Sequence, residues 1–192
     1  MHGNKKALPQ WFAETANWFV VYVRTREEHR VAKRLQGKLD AENYKVFVPT
    51  RDYAYTKNKE TKIVKKPLFS GYIFIAATVE AQECLQTFEP LFYIDSDIYR
   101  LLSNDRQSFN APLSSKDREL LMKLLDAEFN APALKATIEG DWIEISSDSL
   151  IALNADVVRL NKRRQTATIA MMFDGKRTEC EFALDFGFSA KE

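Results

Sequence analysis

Along residues 17–129 the spacing of apolar side chains alternates between a strand period and a helix period, and that alternation leaves few folds open. Trp18–Val23, "WFVVYV", is a short β-rich run of the kind a buried strand uses. Thr25 followed three residues later by Glu28 predicts a capping box. Val31, Leu35 and Leu39 then recur every fourth residue as one core-facing stripe. Tyr44–Thr50 reads as a second strand ended by Pro49, and "LFSGYIFI" (68–75) as a third. Thr78 to Pro90 predicts a second helix, opened by a threonine cap and closed by proline, with Val79, Leu85 and Phe88 inside. "LFYI" and "IYRLL" add short strands, and Ser114 to Phe129 a last helix with Leu120, Leu121, Leu124 and Leu125 as its stripe. The order strand, helix, strand, strand, helix, strand is that of a ferredoxin-like α+β sandwich.

The chain then changes character. Asn130–Thr137 lacks periodicity and is expected to be a linker between an N-terminal domain over 15–129 and a second domain over 138–190. "GDWIEI", "ADVVRL", "TATIAMMF" and "RTECEFALDF" are strand patterns without a helix between them, which predicts a small five-stranded β-barrel. Thr56 to Lys66 is lysine-rich without an apolar face and reads as a hairpin loop or mobile arm.

Several classes of function lose support. No apolar run approaches the roughly 20 residues of a membrane span, and the N-terminus lacks an apolar signal core, so a cytoplasmic protein is expected. The two cysteines, Cys84 and Cys180, and the two histidines, His2 and His29, are scattered without metal-ligand spacing. Carboxylates are dispersed and no glycine-rich phosphate loop is present, so neither a hydrolase nor a cofactor is expected. The net charge of +1 hides clusters: Arg51, Lys57, Lys59, Lys62, Lys65 and Lys66 face only Asp52 and Glu60 in sequence. Arg159, Lys162, Arg163, Arg164, Lys176 and Arg177 likewise face only Asp156 and Asp174. Arg30, Arg34 and Lys38 recur every four residues, lining up three cations along one helix face. Such local excess suits a polyanion, although it also suits a solvated surface.

"KKPLFSGYIFI" (65–75) carries more aromatic residues than a core strand needs. Phe69 and Tyr72 could pack, stack on bases as in an RRM, or hold another protein; Ser70 before Gly71 departs from the RRM pattern, which wants a basic residue there. "WFVVYVRTREEHRVAKRL", "VFVPT" and "KKPLFSGYIFI" resemble the first strand and helix, the second strand and the "PLFPGYxFV" strand of a NusG-type N-terminal domain (NGN). "IEGDWIEI" with the strands after it resembles the SH3-like KOW barrel of that family. Within it, Phe109–Leu125 and "LNKRRQTATI" (160–169) look most like the specialised antitermination paralogues of the LoaP type.

The resemblance implies a bacterial, non-enzymatic, monomeric transcription elongation and antitermination factor. Its N-terminal domain would dock on the clamp helices of the largest RNA polymerase subunit through Trp18, Tyr22, Leu68, Phe69 and Tyr72. By bridging to the opposite lobe it would favour the elongating state and suppress pausing. Arg24, Arg30, Arg34 and Lys38 match the face that touches non-template or upstream DNA in relatives. Arg159, Lys162, Arg163, Arg164, Lys176 and Arg177 would bind an RNA hairpin, as in the LoaP-like subgroup. Ser70 stands where the family has proline, and Asp148-Ser149-Leu150 and Ala155 replace the barrel's "GPF" turn and following glycine. Leu150 in place of that aromatic speaks against the family's other barrel partners, a small-subunit ribosomal protein and Rho. A ribosome- or RNA-associated KOW protein acting in translation is the alternative, one that leaves the N-terminal sandwich unexplained.

Overall fold

The computed structural model describes residues 9, 11–12, 15, 17–57, 60–102, 112–139, 142–145 and 155–187. The elements in chain order are β1 (Asn17–Val23), α1 (Glu28–Gln36), β2 (Tyr44–Phe47), β3 (Thr50–Lys57), β4 (Glu60–Pro67), β5 (Tyr72–Ala77), α2 (Ala81–Ile94), β6 (Ile98–Leu101) and α3 (Ser115–Leu124). Then follow β7 (Asn130–Ala131), β8 (Leu134–Glu139), β9 (Trp142–Ile145), β10 (Asp156–Asn161), β11 (Thr166–Phe173) and β12 (Lys176–Asp185). These form a mixed α/β protein of two compact units. One comprises Met1–Pro49 and Pro67–Phe129; the other comprises Thr50–Lys66 and Asn130–Glu192.

The first unit holds a four-stranded antiparallel sheet ordered β2-β5-β1-β6. Alternation along β1 sends Phe19, Val21 and Val23 to one face, where they pack with Val31 and Leu35 of α1 and Phe88 of α2. Trp18, Val20 and Tyr22 take the other face. There Phe12, Trp18, Phe47 and Phe129 interlock with ring centroids 4.5–5.9 Å apart, and Phe74 and Phe69 extend the row. Two apolar layers on one sheet explain why β1 is almost continuously hydrophobic: both of its faces are covered.

Local signals were obeyed unevenly. Thr25 does not cap α1; the residue before the helix is Glu27, which makes no side-chain cap bond. Glu28 is instead buried, and its Oε1 accepts the Gly71 N–H at 2.7 Å. Ser114 does cap α3, accepting the Asp117 N–H at 3.1 Å, but α3 ends at Leu124, short of the expected Phe129. Pro90 lies inside α2, so "LFYI" is the last turn of a helix and not a strand. Proline forfeits one backbone hydrogen bond there, while Phe88, fully buried, holds the helix against the sheet.

The second unit carries a five-stranded sheet ordered β10-β11-β12-β8-β9, nearly closed as a barrel is. Ala167, Ile169, Met171 and Phe173 of β11 and Phe182 and Leu184 of β12 fill its interior. Asp174 and Gly175, at φ 51° and 66°, make the tight β11–β12 turn with the left-handed backbone such two-residue hairpins require. Two expectations are corrected here. The segment 130–137 is not a linker, because it contains β7 and the start of β8, and β8 pairs in parallel with β12 at Leu134–Leu184. Of the two readings of the lysine-rich segment the hairpin holds, with strands in place of the expected loop: β3 and β4 form a hairpin whose base pairs in parallel with β7, Thr50 opposite Asn130 and Arg51 opposite Ala131. Asp52 fixes that junction by accepting from the Asn130 side-chain amide and the Ala133 N–H.

Candidate functional surfaces

On the first unit, the residues expected to meet a protein partner divide by the pleat. Trp18 is fully buried, its Nε1–H donating to Thr15 Oγ1 at 2.8 Å, and Leu68 and Phe69 are buried as well. All three are interior residues in this structure: Phe12 packs edge-on against Trp18, and the Phe69 ring lies 6.1 Å from that of Phe74. Tyr22 and Tyr72 are half-exposed on paired positions of β1 and β5, ring centroids 5.3 Å apart. Tyr99 of β6, about half exposed, joins them 5.1 Å from Tyr22. Sequence reasoning passed over Tyr99, although the alternation of "DIYRLL" places it on one face of an edge strand. Gly71 shapes this patch. Its φ of +84° turns the chain into β5, and a Cβ there would lie 3.1 Å from Tyr22 Cε2 and 3.2 Å from Thr25 Oγ1.

The arginines expected to contact DNA are on one face, and they are not unaccompanied. Asp97, close to fully buried, takes Arg24 at 3.1 Å, Arg30 at 2.9 Å and Arg34 at 3.0 Å. Asp95 takes Arg34 at 2.8 Å and also accepts the Asp97 N–H. Burial alone would raise the Asp95 pKa, but the Arg34 bond and the Asp97 N–H outweigh it and hold the carboxyl below its ordinary value. The Tyr99 hydroxyl first and Asp97 second push the Arg24 guanidinium upward, and Asp95 does the same for Arg34. Lys38 is exposed beyond the end of α1. The four-residue spacing aligns Arg30 and Arg34 on the helix but not Lys38, and those two, joined by Arg24 from outside the helix, form a shared shell around one acid.

On the second unit, the basic set expected to bind RNA splits in two. Lys162, Arg163 and Arg164 occupy the β10–β11 turn, where Asn161 Oδ1 accepts the Arg164 N–H at 2.9 Å and Gln165 adopts φ 53°. Lys176 and Arg177 begin β12, opposite Phe173 and Met172 at the far end of β11. Seven residue steps at about 3.3 Å each put roughly 20 Å between the two groups, so they do not form one cluster. Arg177 is also 3.7 Å from Asp156. Arg159 goes with the first group: Arg159, Thr168 and Glu181 stand opposite one another across β10, β11 and β12. Asp148-Ser149-Leu150 and Phe109 lie outside the described residues. Among the described residues, no group of His, Cys, Asp or Glu is arranged to hold a metal ion, and no helix is long and apolar enough to cross a membrane.

A solved structure described as "Domain interaction in Thermotoga maritima NusG" superposes with a TM-score of 0.53, covering 87% of this chain and 93% of that one at 14% identity. That likeness concerns the fold: a mixed α/β chain with few helices and many strands. A family model described as "Transcription termination factor nusG" matches residues 16–119, more than half the chain. The chain belongs to the NusG family. The "Transcription termination/antitermination protein NusG" of Bacillus subtilis strain 168 is 30% identical over 64 residues, 31% of this chain and 36% of that protein. The match thus spans about a third of that relative's length.

Proposed function

We propose that the protein is a bacterial, cytoplasmic transcription elongation and antitermination factor of the LoaP-like kind, acting as a monomer without cofactor or catalysis. The first unit, whose strand order β2-β5-β1-β6 fits the ferredoxin-like NGN sandwich, docks on the clamp helices of RNA polymerase and suppresses pausing. The second unit, read as the KOW barrel together with the β3–β4 hairpin, binds an RNA hairpin through Arg159 and the Lys162–Arg164 turn. Rho and a small-subunit ribosomal protein are the less favoured partners of that barrel.

The observation that carries the docking part is the half-exposed tyrosine patch Tyr22, Tyr72 and Tyr99 on one antiparallel sheet. Tyrosine patches suit protein contacts because each ring contributes large apolar area with a polar tip and few rotors. Trp18 and Phe69 are buried, and Trp18 would join such an interface only if Phe12, which packs on it, moved away. Non-template or upstream DNA would meet Arg24, Arg30, Arg34 and Lys38 as phosphate contacts.

The test is capture of the full chain by immobilised, purified bacterial RNA polymerase. Tyr22→Ala with Tyr72→Ala should lower retention at least tenfold while the melting curve keeps its shape. Retention equal to wild type would remove the docking assignment.

A further inference from the structure

We propose that one face of the β3–β4 hairpin is a binding site for single-stranded RNA, continuous with the basic turn of the barrel. The inference rests on the reading of the second unit as RNA-binding and extends it to a second kind of RNA structure.

The two faces of the hairpin can be told apart from its contacts. Thr56 Oγ1 and Thr61 Oγ1 are hydrogen-bonded at 3.0 Å, so these residues share a face. By alternation that face also carries Asp52, Ala54, Ile63 and Lys65. Ala54 is buried and Asp52 is held by Asn130 and Ala133, so on β3 this side belongs to the fold, while Thr61, Ile63 and Lys65 of β4 on the same side are exposed. The opposite face carries Arg51, Tyr53 and Tyr55 from β3 and Lys62, Val64 and Lys66 from β4. Lys66 Nζ lies 3.6 Å from the centre of the Tyr53 ring and the Arg51 guanidinium 6.0 Å from it, which confirms the grouping. Tyr55 is 48% exposed and Lys62 is exposed. The one described carboxylate on this face is Glu60, at the far end of β4.

Cations interleaved with aromatic rings on a two-stranded ribbon match an unpaired polynucleotide. Phosphates meet the cations, and splayed bases stack on the rings. A duplex hides its base faces and could use only the cations. No acid of the fold side intrudes, since Asp52 is turned away and engaged.

The site also adjoins the barrel's basic turn. Arg51 Nε donates to the Glu181 carbonyl, and Glu181 stands opposite Thr168, which stands opposite Arg159. Glu181 Oε1 in turn accepts from Thr166, two residues beyond Arg164. Contacts therefore lead from Arg51, beside Tyr53, through Glu181 to Thr166 at the foot of the basic turn, with Arg159 in register across the sheet. An RNA hairpin on the turn would lead its single-stranded flank onto the tyrosines.

The experiment uses the full chain and fluorescence anisotropy of a labelled 12-nucleotide oligo(U), a matched oligo(dT), a 12-base-pair RNA duplex and an RNA stem-loop. Tyr55→Leu should weaken oligo(U) binding about tenfold, within the range of one lost base stack. Duplex binding and the salt slope should stay unchanged. Lys62→Gln should flatten the oligo(U) salt slope by about 0.7, one phosphate contact on a single strand. Tyr55→Leu binding oligo(U) as wild type does, an equal loss for the duplex, or tighter binding of oligo(dT) than of oligo(U) would each overturn the proposal. Lys162, Arg163 and Arg164 changed together to alanine test the barrel reading separately. Loss of RNA-hairpin binding in that variant alongside an unaffected Tyr55→Leu sinks only the inference drawn here. An unaffected triple variant alongside a weakened Tyr55→Leu sinks only the barrel assignment.

Discussion

Asp97→Asn is the substitution whose two consequences oppose each other most clearly. The Asp97 carboxylate accepts from Arg24, Arg30 and Arg34 at 3.1, 2.9 and 3.0 Å, and it is nearly buried. Breaking a fully buried ion pair costs about 3–5 kcal/mol, because a charge is stranded without water. Here Arg30 keeps more than half of its side chain exposed and Arg34 a third, so both can rehydrate once released. The loss should instead follow the scale of charged hydrogen bonds, about 1.5–3 kcal/mol, which lowers the melting temperature of a protein this size by about 3–12 °C. Arg34 would retain Asp95, which limits the damage. The same change removes one negative charge from the face proposed to meet DNA and releases guanidinium groups toward solvent. Each additional phosphate contact steepens the slope of log K against log salt by about 0.9. The assay is anisotropy of a labelled 20-base-pair DNA duplex over a potassium chloride series, paired with a thermal melt. Asp97→Asn should bind tighter at low salt with a slope steeper by about 1–2 while melting earlier. Earlier melting with an unchanged slope would refute the argument that these arginines are latent phosphate ligands held by an acid.

Two further predictions concern how the first unit is held. Gly71→Ala should destabilise by about 2 kcal/mol, combining the cost of a left-handed non-glycine residue with the close approach to Tyr22 and Thr25; a urea midpoint equal to wild type would show that the turn relaxes freely. Burial pushes the Cys84 thiol up to about 11, whereas an unfolded thiol ionises near 8.5. The stability this contributes is fully present below about pH 8.5 and is lost as pH rises toward 11. The urea midpoint should fall over that window, and Cys84→Ala should lessen the fall. An identical pH dependence in Cys84→Ala would assign it to other groups.

What the sequence revealed depended on whether burial left a periodic trace. β1, β5, α1, β11 and β12 bury apolar stripes, and their patterns were readable. The β3–β4 hairpin buries little beyond Ala54 and is tied down by Thr50, Arg51 and Asp52 through polar bonds to residues some 80 to 130 positions away. No local window contains that information. β8 was hidden for a related reason: its partners are β9 and, in parallel, the end of β12, so its place is decided by closure of the sheet. The arginine ridge showed the opposite failure. Its spacing was plain, but Asp95 and Asp97 lie more than 60 residues on and looked like turn residues. The burial of Trp18 had no local signal, because it lies on the face of β1 away from the helices, which a partner could cover as well as the chain's own Phe12.

The hairpin's membership of the second unit has a consequence for how the protein is made. The chain passes into that unit at residue 50, leaves it at 67 and re-enters at 130. During synthesis β3 therefore emerges more than 60 residues ahead of β7, the strand it pairs with, and must wait unpaired along that edge while the first unit is completed. The same threading means that no single cut releases the barrel intact. A protease fragment or gene block starting at residue 130 would carry the barrel strands but leave behind Arg51, Tyr53 and Tyr55. Exchange of C-terminal segments between relatives would thus transplant half of a two-part surface.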